Sequence, residues 1–157
     1  MPKITGFSYE GDIPKNPQKV INFAYSYTGY LLELGVNVSS YSLDLEKNSP
    51  SFGDQLAEAV QLTSDDTEAI ATQKTRPYHR FFNRWKSYDL KAIAPVLVIE
   101  YGKSDYLEMM TNLGKVFDKE DEAQEWLDNW ETKTAEAKEE LSQYIDSSTT
   151  FTVMDFT

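Results

Sequence analysis

The chain contains no cysteine and a single histidine, His79, in 157 residues. The first absence excludes a disulfide framework, a thiol nucleophile and thiolate metal sites, although it does not fix a redox compartment. The second excludes a histidine-built metal centre and a Ser-His-Asp triad. No apolar run approaches the roughly 18 residues of a membrane span. Met1-Pro2-Lys3 has none of the apolar stretch that opens a secretory leader. A glycine-rich phosphate loop is missing, as is any spacing that flags a nucleophile and its base, so an enzyme is the weaker class. Positive charge is scarce too: 15 lysines and arginines face 26 acidic residues, for a net charge of −11. So acidic a globule argues against nucleic acid and anionic membrane surfaces as partners.

What is present is organised around Ala94 to Met109. Val96 to Ile99 is an unbroken apolar run opened by Pro95, the pattern of a strand covered on both faces, with proline tolerated at its first position. Tyr101-Gly102-Lys103 then turns the chain. Ser104 is a candidate N-cap, and Leu107, Met110 and Leu113 begin an amphipathic helix. Upstream the same rhythm recurs. Val20 to Ala24 reads as a strand, Tyr25 to Thr28 as a loop, Gly29 to Leu34 as a short helix stopped by Gly35, and Val36 to Val38 as the start of a second strand. This is a βαβ unit, which implies parallel strands. Ile4, Phe7 and Tyr9 with Gly11-Asp12 predict a short edge hairpin. Leu43 to Asp54 reads as a polar loop, Val60 to Leu62 as a short apolar piece, and Ser64-Asp65-Asp66 as the cap of a helix through Glu68 and Ile70. Tyr88 to Ala94 reads as a short helix leading into the Val96 strand.

Two segments depart from this rhythm. Lys74 to Lys86 holds arginines, aromatics and His79 where the alternation calls for a buried strand, and predicts a strand lost or replaced by a basic aromatic loop. Glu120 to about Asp146 carries Ala123, Trp126, Leu127, Trp130, Ala137, Leu141, Tyr144 and Ile145 on one helical stripe. Such a helix is about 40 Å long, more than a crossover in one small sheet needs. Thr149 to Asp155 reads as a β-branched strand.

Taken in order, Ile13 to Val20, Ser26 to Val36, Ile93 to Gly102, Leu113 to Phe117 and Glu120 to Trp126 resemble the first half of an iron–siderophore substrate-binding protein. These are extracytoplasmic receptors of ABC importers, in which one long helix joins two α/β lobes. The resemblance implies an α/β fold: a parallel-sheet N-terminal lobe over residues 1–117, an interlobe helix over 118–146, and in 147–157 the first strand of a second lobe that is otherwise missing. It implies capture of a ferric siderophore, with iron held by the siderophore's own oxygens and no cofactor bound directly. It also implies delivery to ABC permease subunits and a membrane-tethered lipoprotein in the full-length form. Lys74 to Lys86 departs from the family pattern. One encoding of Thr75 to Trp85, shifted by a nucleotide, reads Pro-Asp-Leu-Ile-Thr-Val-Phe-Ser-Thr-Asp-Gly, a family-like strand and loop, so a compensated frameshift is expected there.

Ligands of parallel α/β lobes sit outside the carboxyl ends of the strands. The resemblance therefore points to Tyr27 and Thr28 after the first strand and to Tyr101, Lys103 and Tyr106 after the Val96 strand as ligand-binding residues. Tyrosine supplies flat apolar area with a hydroxyl, and lysine attracts an anionic complex. Tyr25, Lys47, Asn48 and Phe52 are weaker candidates, the second and third reading as a solvated turn. Glu68 resembles a glutamate that docks on permease arginines, though a first-turn acid is also what the helix dipole favours. Asp65-Asp66 and Glu120-Asp121-Glu122 lack the ligand alternation of a calcium loop. Scarce positive charge at the loops leans toward a hydroxamate. Two other readings stay open: a non-functional remnant, and a small flavodoxin-like domain whose long helix packs on its own sheet. The siderophore reading and the remnant reading instead leave an apolar stripe exposed near Trp130, Leu141 and Ile145, through which the chain would self-associate.

Overall fold

The computed structural model describes residues 1–63, 65–72, 78–82, 90–146, 148–150 and 152. Expectations for Ser64, for the rest of Lys74–Lys86, for the start of the Tyr88–Ala94 helix and for most of the Thr149–Asp155 strand lie outside them. A six-stranded sheet carries the fold: β1 (Phe7–Glu10), β2 (Lys19–Asn22), β3 (Val38–Tyr41), β4 (Val60–Gln61), β5 (Tyr78–Phe82) and β6 (Val96–Ile99), in the order β1-β6-β5-β2-β3-β4. All neighbours run parallel except β1, which lies antiparallel on β6.

Alternate strand residues feed two cores, because successive side chains point to opposite faces. Val20, Val38, Leu97 and Ile99 pack with Leu31 of α1 (Thr28–Glu33), with Leu34 at its C-cap, and with Met110, Leu113 and Phe117 of α4 (Tyr106–Phe117). Ile21 and Val96 pack on the other face with Leu62, Leu90, Ala94 and Ile70 of α3 (Thr67–Thr72). A strand covered on both faces is continuously apolar, which is what made β6 legible.

Three expectations need correction. The first strand makes no local hairpin. Its partner is β6, with Phe7 opposite Ile99 and Glu10 opposite Val96; Pro14 and Pro17 deprive the following segment of the N–H groups a returning strand would offer. The basic aromatic segment does not cost the sheet a strand: Tyr78–Phe82 is β5, paired with β2 and β6 at the centre. The cap of α4 is Asp105, one residue beyond Ser104. Its carboxylate accepts from the Leu107 and Glu108 amides at 2.9 and 2.8 Å, while Glu108 accepts from the Asp105 amide at 3.2 Å.

The long helix α5 (Glu120–Leu141) has 22 residues and is about 33 Å long. It joins the lobe near its start. Gly114 of α4 faces Ala123 so closely that a Cβ there would lie 2.7 Å from the alanine's. Trp126 and Leu127 still pack on the first core. Beyond them the stripe stands exposed, with Trp130 at 38%, Leu141 at 51% and Ile145 at 42%. The helix therefore does not lie along its own sheet, contrary to the flavodoxin-like reading. Among the described residues, no helix is long and apolar enough to cross a membrane.

Candidate functional site: a tyrosine rim at the strand ends

The loops after β2 and β6 both leave the carboxyl edge of the sheet, on either side of β5. Asn22, the last residue of β2, is fully buried, and its side chain turns the chain locally: Oδ1 accepts from the Ala24 amide at 3.0 Å and Nδ2 donates to the Ala24 carbonyl at 3.2 Å. A 3-10 turn, Tyr25–Tyr27, then runs directly into α1. Tyr27 is buried with its ring centroid 6.5 Å from that of Tyr30. Burial pushes the Tyr27 phenol above its ordinary pKa, and neighbouring Tyr101 and Tyr30 push it further. Tyr30 is raised by burial first, then by Asp105 and Tyr106. The tyrosines of the β2–α1 and β6–α4 units are thus linked in pairs, Tyr27 with Tyr30 and Tyr101, and Tyr30 with Tyr106.

Tyr101 is 85% exposed and Tyr106 is 54% exposed, offering faces to solvent. The Tyr106 ring meets Trp130 edge-on at 5.6 Å, and Trp130 stacks on Trp126 at 5.5 Å and 12°. Such contacts are worth about 0.5–1.5 kcal/mol beyond buried area, so α5 extends the aromatic band. Lys103 is exposed, and its ammonium lies 3.9 Å from Glu100, a surface pair of little energy. The backbone beneath it is fixed. Gly6, at φ 80°, comes so near that a Cβ there would lie 2.6 Å from Lys103 Cβ, and its carbonyl accepts from the Glu100 amide at 2.7 Å.

Thr28 is fully buried, and its hydroxyl accepts from Asn22 Nδ2 at 2.8 Å while donating to Glu46 Oε2. It lies behind the rim rather than on its exposed surface. Glu46 was missed by sequence reasoning. It sits in α2 (Asp44–Lys47), inside what reads as a solvated loop, yet it is only 1% exposed. Its Oε1 accepts from the Ser42 and Leu43 amides, both at 2.8 Å, and from Ser42 Oγ at 2.9 Å. The available signal was Glu46 three residues after Leu43, the spacing at which a glutamate reaches back to cap a helix start.

The weaker candidates scatter. Lys47 lies over the Tyr41 ring at 5.6 Å, and Asn48 Nδ2 donates to the Asp44 carbonyl at 2.9 Å, as a surface turn requires. Phe52 is half-buried against the start of α1 beside Gly29. Glu68 is exposed in the first turn of α3. That helix packs on the opposite face of the sheet from α1 and α4, so Glu68 stands apart from the tyrosines. An apolar groove of about 520 Å³ lies elsewhere, along Ala137, Leu141 and Ile145 of the exposed stripe. Among the described residues no group of three or more His, Cys, Asp or Glu side chains is placed to hold a metal ion.

The chain as a whole is similar to known proteins. The periplasmic binding protein family matches residues 80–156. The iron(3+)-hydroxamate-binding protein FhuD of Bacillus subtilis is 28% identical over 151 residues, covering 91% of this chain and 47% of its own length. The solved FhuD protein from S. pseudintermedius is 31% identical with a TM-score of 0.73, over 85% of this chain and 48% of that one. FhuD2 from Staphylococcus aureus with bound ferrioxamine B is 28% identical with a TM-score of 0.70, over 81% and 49%. The chain spans about half the length of the relatives it matches.

Proposed function

We propose, from a chain whose relatives are FhuD-type siderophore-binding proteins matched over about half their length, that it supplies one wall of a two-walled site for a ferric hydroxamate and serves an ABC importer outside the cytoplasm. The observation that carries this reading is that Tyr27, Tyr101, Lys103 and Tyr106 all follow directly on the carboxyl ends of β2 and β6, where ligands of parallel sheets sit. Iron stays in the oxygens of the siderophore. Tyr101 and Tyr106 present flat apolar area and hydroxyls to the chelate, Tyr27 forms the floor, and Lys103 offsets residual negative charge. One cation at the rim, among the described residues, suits a hydroxamate better than the more anionic catecholate complexes. Thr28 serves by holding the loop. The partition into a lobe at 1–117, a connecting helix at 118–146 and a further lobe begun at 147–157 is part of the same proposal, supported by the bare stripe on α5 and by the half-length match. So are the lipoprotein tether and the docking of exposed Glu68 on a permease.

Small-molecule sites ordinarily bury 70–90% of a ligand. A single wall forgoes much of that contact, so the chain alone binds ferrioxamine B weakly, with a Kd of about 0.1–1 mM. Quenching of tryptophan fluorescence, reported by Trp130 against Tyr106, measures this. Saturable quenching in that range, weakened severalfold by Tyr101→Ala, is expected. Micromolar or tighter binding contradicts the one-wall reading, and an absence of saturable quenching contradicts the siderophore reading.

A further inference from the structure

We infer that Glu46 is a positioning residue of the site: through Thr28 it locks the Tyr27 loop to the loop after β3, making the β2 side of the rim rigid before any ligand arrives. This rests on the proposed siderophore wall, which assigns Tyr27 to the ligand but gives Glu46 no part. Asn22, Thr28 and Glu46 are each essentially inaccessible to water, and they form one hydrogen-bonded line from the end of β2, through the first residue of α1, to the first turn of α2. Residues 28 and 46 are 18 apart in sequence, so this is a tie between loops and not a local turn. A buried carboxylate is costly unless its lone pairs are satisfied. Here four donors converge on it: the Ser42 and Leu43 amides and the hydroxyls of Ser42 and Thr28. Three come from its own loop and one from the loop that carries Tyr27. No other residue type fits as well, because only a carboxylate accepts on both oxygens. A glutamine that keeps its Oε1 on the loop amides turns its Nε2 toward Thr28 Oγ1, which then accepts from two amide groups while its own buried proton loses its acceptor.

The opposite side of the rim is built differently. Tyr101 and Lys103 are exposed, and their loop is held by the Gly6 contact and by Asn112 Nδ2 donating to Ser104 Oγ at 3.0 Å, with no buried carboxylate at its centre. The buried line on the β2 side spares Tyr27 the ordering cost of binding.

The test compares wild type with Glu46→Gln, Thr28→Val, Thr28→Ser and Ser42→Ala, without ligand and then with ferrioxamine B. Amide hydrogen exchange reads the ligand-free arm. Glu46→Gln and Thr28→Val should accelerate exchange about tenfold or more over residues 25–28 and 42–43 while leaving 100–106 unchanged. Thr28→Ser, which keeps the hydroxyl, should restore wild-type exchange. Ser42→Ala, which removes one donor of four, should give a smaller acceleration if the stronger variants fail to fold. In the ligand arm, Glu46→Gln and Thr28→Val should weaken ferrioxamine B about tenfold, with Thr28→Ser within twofold of wild type. Exchange unchanged over 25–28, or accelerated equally over 100–106, overturns the inference. If wild type does not bind ferrioxamine B, the siderophore reading fails, and the exchange arm alone decides whether Glu46 fixes Tyr27.

Discussion

Tyr27 is a phenol taken out of water beside two others, and its charged form is penalised for that reason. Its folded pKa lies above the ordinary value of 10.0. The neutral form therefore stabilises the fold fully at pH below the unfolded value, and the contribution is lost as pH rises through the folded pKa. Tyrosine ring-carbon NMR should find Tyr27 titrating later in the folded chain than in urea. Coincident titration contradicts the buried placement. Gly6 makes a second residue-scale claim, since its φ of 80° and the nearness of Lys103 leave no room for a side chain. Gly6→Ala should cost about 1–2 kcal/mol in urea unfolding and shift the Lys103 amide. An unaltered midpoint and spectrum would show that the loop does not lean there. Glu46 marks the limit of reading at this scale. A glutamate among serines and aspartates looks solvated, and its burial depends on Thr28, which no local spacing connects to it.

At the scale of elements, the unit β2–α1–β3 and the pair β6–α4 were legible, because unbroken apolar runs and a 3.6-residue stripe leave little choice of period. The partner of β1 was not, since Phe7 and Ile99 meet across most of the chain. Nor was β5. A central parallel strand is ordinarily apolar throughout, whereas the register sets His79 and Arg80 opposite Val20 and Ile21, both fully buried. Replacing Thr75–Trp85 with the shifted-frame peptide Pro-Asp-Leu-Ile-Thr-Val-Phe-Ser-Thr-Asp-Gly puts threonine and valine at those two positions. That variant should gain about 1 kcal/mol or more in urea unfolding, because β-branched residues are favoured in a central parallel strand. A loss of stability would mean that the basic aromatic strand is suited to its place. The crossing of α4 and α5 carries another prediction. Gly114→Ala overpacks against Ala123 and should cost about 1–3 kcal/mol, and Ala123→Gly should recover part of it in a double-mutant cycle. Simple additivity contradicts the contact.

Across the whole molecule, the sheet is covered on both faces while the far half of α5 is bare. Trp130, Leu141, Tyr144 and Ile145 expose apolar surface in a chain of net charge −11. Charge repulsion opposes pairing of such surfaces, and salt screens it. Sedimentation velocity should find mass rising above 18.0 kDa with concentration, more so at high salt, and Leu141→Glu should abolish the rise. A monomer under all conditions contradicts association through the stripe. The central claim, that the strand-end tyrosines form one wall of a hydroxamate site, is tested most directly by an NMR footprint. Gallium replaces iron in ferrioxamine B without broadening the spectrum, and the complex is titrated into the labelled chain. The account predicts fast-exchange shifts confined to residues 25–30 and 100–106 and to the Trp130 indole. Shifts centred on the groove at Ala137, Leu141 and Ile145, or none near Tyr27 and Tyr101, would contradict it.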